Sequence, residues 1–165
     1  MTRLGQMARL SFLSAVNLAE LTRFLSVASL GLFAGAMLTE GFVLVPYWRS
    51  LAPAEFLAWY AANNRRLVGF FGPLTAVTAL LAIAAALGSL WEGHPGRWLA
   101  LLAALLSLAV VSTFFLYFQK ANASFATGSL GLDRVAAELT RWATWHWWRT
   151  GLSLAALALA MLSRE

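Results

Sequence analysis

Cysteine is absent from the chain, which excludes disulfides, thiolate metal ligands, iron–sulfur ligation and a cysteine nucleophile, and leaves the redox compartment unreadable. Charge is also scarce. Charged residues make up 12% of the 165 positions against 61% hydrophobic, and the mean hydropathy is +0.71. A soluble domain of this length cannot hide so much apolar surface, so the composition is that of an integral membrane protein. There is no strand signal, no internal repeat and no low-complexity linker. Of two histidines, neither stands in an HxxH or HxxE pattern, so zinc, bis-histidine haem and di-iron sites find little support. The net charge of +5 comes from basic residues scattered singly or in pairs around apolar runs. It reads as membrane-surface charge rather than a nucleic-acid patch, and no nucleic-acid partner is expected.

What the chain does contain is four apolar stretches, each near the roughly 20 residues that cross a bilayer. The first runs from Phe24 to Val45, ends at Pro46, and holds Gly31 and Gly35 at a spacing that lets another helix approach. PAEFLAWYAANNRR then reads as a short connecting helix leading into the second span, Leu67 to Trp91, with Pro73 in its first turns. WEGHPGR has turn chemistry and reads as the tightest connection. The third span, Trp98 to Phe118, gives way to QKANASF, and LDRVAAELTRWATWHWWRTG opens the fourth, completed by Leu152 to Leu162. Residues 1–23, with Leu4, Met7, Leu10, Leu13 and Leu21 against Arg3, Arg9, Asn17 and Glu20, read as an amphipathic interfacial segment, and 24–165 as the transmembrane domain. The apolar run is too long for a signal core, so a retained helix is expected. The expected fold is all-α: an integral membrane, up-down four-helix bundle, multi-pass in the cytoplasmic membrane of a prokaryote.

Up-down connectivity brings the end of spans one and three to the start of spans two and four. That is where the out-of-place polar groups lie: Glu40, Asn64, Arg65, Lys120, Asn122, His146 and Arg149. An ionisable group at membrane depth is costly and is by default a functional-site hypothesis. Trp142, Trp145, His146 and Arg149 stand at i, i+3, i+4 and i+7, on one helical face.

Three of these segments also resemble a known family. NNRRLVGFFGP, the asparagine of QKANASF and WATWHWWRTGLSLAALAL, in that order and at those places relative to the spans, resemble the anthrone oxygenase-like family of small four-helix membrane proteins, from about Leu30 to Leu162. The match carries over Asn64, Arg65, Pro73, Asn122, Trp145, Arg149 and Thr150. It departs at His146, where relatives often carry asparagine, and Glu40 lies outside the shared motifs. The resemblance implies oxygenation of a polyketide anthrone or a similar aromatic molecule.

On the residues themselves, His146 is the one neutral-pH base of the cluster, with Glu40 to orient it and Arg149 to hold an oxyanion. Asn64, Arg65, Lys120, Asn122, Trp142 and Trp145 would bind the substrate, the tryptophans forming a slot for a flat ring. The plainer readings are a bare Glu40 salt bridge to Arg65 or Arg149, a satisfied interfacial histidine, and basic side chains snorkelling to headgroups. No cofactor is expected, although a metal between Glu40 and His146 is left open. The function classes in play are a membrane oxidase or monooxygenase-like enzyme and a non-catalytic binding or accessory protein for a lipid, quinone or haem-like ligand. The expected partners are a hydrophobic small molecule and the bilayer, with homo-oligomerisation left open.

Overall fold

The computed structural model describes residues 3–164, with side chains from Leu18 onward; the side-chain pattern expected of the first 17 residues lies outside the described ones. Six α-helices stack end to end into four rods: α1 (Arg3–Thr39) with α2 (Val45–Ser50), α3 (Pro53–Trp91), α4 (Arg97–Thr113) with α5 (Gln119–Thr127), and α6 (Val135–Leu162). Among the described residues there is no strand. Each rod packs on its two neighbours, α1 on α3 and α6, and α4 on α3 and α6, which is the square of an up-down bundle.

Three stretches, Leu18–Ser50, Pro53–Trp91 and Arg97–Thr127, are long and apolar enough to cross a membrane. The fourth rod is not among them: the histidine, arginine and tryptophans of its first half lower its hydropathy. Large apolar side chains such as Leu32, Phe42, Leu80, Phe115 and Trp148 stand exposed on the outer surface, an arrangement suited to lipid. Most inner hydroxyls bond to their own helices, as where Ser107 Oγ donates to the Ala103 carbonyl (2.9 Å) and Ser153 Oγ to that of Arg149 (2.7 Å).

The sequence reading needs four corrections. Pro46 does not end the first rod, because a π-helical turn, Glu40–Leu44, immediately precedes α2 and its widened backbone accommodates the ring that would clash with the carbonyl four residues back. The break comes instead at Leu51–Ala52, where the residue before Pro53 is extended (ψ 148°). This two-residue link, rather than WEGHPGR, is the tightest connection. The short connecting helix does not exist as a separate element: α3 is continuous for 39 residues, about 58 Å at 1.5 Å per residue, so it overshoots a roughly 30 Å hydrocarbon core. Finally, the third rod continues past Phe118 through a second π-helical turn, Phe114–Phe118, to a left-handed cap at Gly128 (φ +62°).

The core changes character along the bundle axis. Near the Trp91–Arg97 turn it is built from alanines, including Ala82, Ala86, Ala100, Ala104, Ala103 and Ala156. Near the α2–α3 link it is aromatic, with Trp48, Phe56, Tyr60, Phe118, Phe125 and Trp142 packed in edge-to-face and tilted pairs. Both π-helical turns lie on the aromatic side.

Candidate functional site

Glu40 is the first residue of the first π-helical turn, and an α-helix widened by one residue is a recurrent feature of functional sites. Its carboxylate is buried, and Oε2 accepts a hydrogen bond from Arg149 Nη2 at 2.8 Å. The same oxygen lies 3.4 Å from His146 Nδ1. Arg149 approaches that nitrogen more closely, with Nε at 3.3 Å and Nη2 at 3.1 Å. His146 Nε2 lies 3.0 Å from the Met37 carbonyl oxygen. A carbonyl only accepts, so the proton sits on Nε2, and the Nδ1 lone pair receives the guanidinium. One histidine thus ties the first rod's carbonyl to the cation that holds Glu40.

Glycine at position 41 permits this close contact, since an added Cβ would lie 3.0 Å from both His146 Nε2 and the Trp147 ring and one of them would have to give way. Trp142 stacks on the imidazole at 5.2 Å and 7°, and Arg149 lies over the Phe118 ring at 4.1 Å. Removing two charges from water costs several kcal/mol each unless they are paired and further bonded. The pairing, the imidazole acceptor and the aromatic faces are what offset that cost here.

A cavity of about 280 Å³ lies against the group, lined by Glu40, Tyr60, Phe71, Asn122, Trp142 and Arg149 among others; the exposed lining side chains Val68 of α3 and Phe115 just beyond α4 mark its outer side between these two rods. Trp142 Nε1 donates to Asn122 Oδ1 at 2.8 Å, which fixes the amide so that its NH₂ donors remain for another partner. Glu40 Oε1 makes no protein hydrogen bond among the described residues, leaving an acceptor at the cavity wall.

The structure therefore gathers Glu40, His146, Arg149, Trp142 and Asn122 and leaves out the rest of the expected set. His146 is in the cluster but fully buried behind its partners and does not line the cavity. Trp145 stacks instead on Tyr117, at 5.2 Å and 8°. Lys120 and Arg65 are exposed and Asn64 is half-buried; none of the three lines this cavity. On α3 it is Asn63 and Arg66 that border a neighbouring groove; a helical residue turns about 100° from the next, enough to carry Asn64 and Arg65 away. Tyr60 was the missed residue, because an aromatic near a span end reads as part of the interfacial belt.

Among the described residues no three of His, Cys, Asp and Glu gather as a metal-binding group. At the Glu40–His146 position left open for a metal, the Arg149 guanidinium contacts both donor atoms, so a divalent ion there would have to displace a cation already in place.

Compared with known protein families, the chain matches the one described as anthrone oxygenase over residues 56–159, more than half its length, and it belongs to that family. The matched segment contains Asn122, Trp142, His146 and Arg149 and excludes Glu40. No curated protein and no solved structure matches the chain.

Proposed function

We propose that this family member is a multi-pass membrane oxygenase that takes a flat, weakly acidic aromatic molecule of the anthrone type and oxidises it with dioxygen, without a bound cofactor. In this reading α6 is the fourth crossing and the protein sits in the cytoplasmic membrane of a prokaryote. The observation that carries the proposal is the Glu40–Arg149 pair, 2.8 Å apart, on the wall of an aromatic-lined cavity. We give the role of base to Glu40 rather than to His146, because Glu40 reaches the cavity with an unbonded oxygen and His146 does not.

The pair answers a specific difficulty. Removing a proton from carbon in a low-dielectric site creates an anion that water cannot solvate. When the proton passes from a CH₂ carbon to Glu40, the carboxyl becomes neutral and Arg149, formerly its counter-ion, is left to balance the new phenolate. The net charge of the site does not change, and the stabilising cation is already in position. The anion then reduces dioxygen, a C–O bond forms, and the peroxide takes the proton back from Glu40. Loss of water, with cleavage of the O–O bond and departure of the second C–H proton, leaves a carbonyl, so that CH₂ and O₂ become C=O and H₂O. Asn122 and Tyr60 supply donors to the ring oxygens, and His146 positions the guanidinium.

Oxygen consumption by the purified protein with anthrone tests this. Turnover is expected in the presence of chelator, lost in Glu40→Gln, and reduced but measurable in His146→Ala. Normal turnover in Glu40→Gln rejects the base, and chelator-sensitive turnover rejects the cofactor-free route. Saturable binding of aromatic molecules with no turnover across a broad panel would instead leave a binding or accessory protein.

A further inference from the structure

The α1 and α3 rods touch at two levels and part between them. Near the α2–α3 link, Trp48 meets Phe56 and Tyr60 at ring-centroid distances of 6.1 and 5.8 Å. Farther along, Thr78 Oγ1 donates to the Ser29 carbonyl at 3.4 Å. Between these contacts runs an open groove of about 770 Å³, from Trp59 to Phe71 on α3, about 18 Å at 1.5 Å per residue. Glu40, Leu67 and Phe71 border both this groove and the 280 Å³ cavity, so these three side chains are the partition between them.

Gly31, Gly35 and Ala36, interleaved with Leu32 and Thr39 on the α1 wall, leave the groove its open space. Small residues in membrane helices ordinarily serve close helix contact, and glycine costs about 1 kcal/mol against alanine in a helix. At Gly35 an added Cβ would meet nothing within 4 Å, so helix contact within the chain does not account for it. At the polar end of the groove stand Asn63 and Arg66, and Arg66 pairs with no carboxylate among the described residues.

We infer that this groove is a lateral window through which a bilayer-dissolved aromatic molecule with an acidic end reaches Glu40, with Leu67 and Phe71 as its gate and Arg66 as the group that receives the acidic end. The route rests on the proposed function for its substrate class, but it is a geometric property that a chemical probe reads without turnover. The molecule slides with its flat body against Gly35 and Ala36, and displacement of the Leu67 and Phe71 side chains brings it to the carboxylate. The rival route runs between α3 and α4, past Val68.

The absence of native cysteine makes the test clean. Thr75→Cys places one thiol on the cavity wall, in lipid nanodiscs, and its reaction with N-phenylmaleimide is followed by intact mass. Gly35→Phe, whose side chain enters open space, is expected to slow labelling by about an order of magnitude or more, with Ala36→Phe as a second plug. Val68→Trp, on the rival route, is expected to leave the rate nearly unchanged. Arg66→Gln should slow N-(4-carboxyphenyl)maleimide more than N-phenylmaleimide. An unchanged rate in both folded groove plugs, or equal slowing by Val68→Trp, overturns the window. Failure of added anthrone to protect the thiol counts instead against the proposed substrate, and the plug comparison is unaffected by it.

Discussion

At the Trp91–Arg97 end the four rods meet through alanines, and buried groups such as Ala103 and Ala156 leave no gap for a ligand; at the α2–α3 end the same rods are spaced by tryptophan, tyrosine and phenylalanine. Small side chains let helices approach until backbones nearly touch, which maximises dispersion contact where lipid supplies no hydrophobic drive between helices. Large flat rings bridge wider gaps but cannot fill them, and a cavity beside Glu40 and Arg149 is the result. The alanine half is therefore where stability is concentrated, and the aromatic half is where a costly ion pair and an open space are tolerated together. Among the described residues the one ion pair of the alanine half, Arg23 with Glu92 at 2.7 Å, joins α1 to the turn after α3, where such pairs contribute about 0–1 kcal/mol.

The largest effect that would test this division is removal of one partner of the buried pair. Arg149→Met leaves Glu40 buried without its counter-ion and is expected to cost about 3–5 kcal/mol, whereas the double variant Glu40→Met/Arg149→Met recovers most of that loss and remains inactive. Thermal unfolding in nanodiscs checks it. A double variant no more stable than the single would mean that the pair itself holds the aromatic half together.

Enlarging a side chain sharpens the contrast from the other end. Ala156 is fully buried against Leu30, Ala103 and Ala160, so Ala156→Leu overpacks the contact and is expected to cost about 1–3 kcal/mol. Gly72 lies on the cavity wall, where an added Cβ meets nothing within 4 Å. Gly72→Leu is expected to leave the unfolding temperature unchanged or raised, since it also removes a helical glycine, while blocking turnover by filling the cavity. Equal destabilisation by the two would erase the distinction.

The contrast was only partly visible in the sequence. Three of the four rods follow from hydropathy, and a cation partner for Glu40 could be foreseen because a charge inside an apolar run must find one, although Arg65 and Arg149 were equally good candidates in the sequence. The two π-helical turns carry no compositional mark: EGFVL and FFLYF read as ordinary helix, and their extra residue is a matter of backbone register. The choice between Asn64 and Asn63, or Arg65 and Arg66, depends on the rotation of α3, which packing sets and local pattern does not. His146 was legible as a member of the cluster but not as a fully buried one, because burial depends on Trp142, Gly41 and Arg149 closing around it from two rods.

Trp142→Phe probes the aromatic half more gently. The stack on His146 survives in part, while the bond from Nε1 to Asn122 is lost, at an expected cost of about 0.5–1.5 kcal/mol. Asn122 is then free to rotate its amide, so KM for an anthrone-type substrate should rise more than kcat falls. An unchanged KM with a lower kcat would assign Asn122 to the transition state instead of to binding.

The smallest effects separate neighbours on α3. Arg65 is exposed and lines neither the cavity nor the groove, so Arg65→Ala should change stability by less than about 0.5 kcal/mol and leave turnover unaltered. Arg66→Ala should be as mild on stability, because its side chain is likewise exposed, yet it removes the cation at the end of the groove. The pair differs by one residue, and both members carry the same charge at the same depth. An equal loss of turnover in both variants at low concentrations of an acidic aromatic substrate would mean that surface charge in general recruits it; a loss confined to Arg66→Ala, abolished at high salt where exposed charges are screened, ties recruitment to the side of α3 that faces α1.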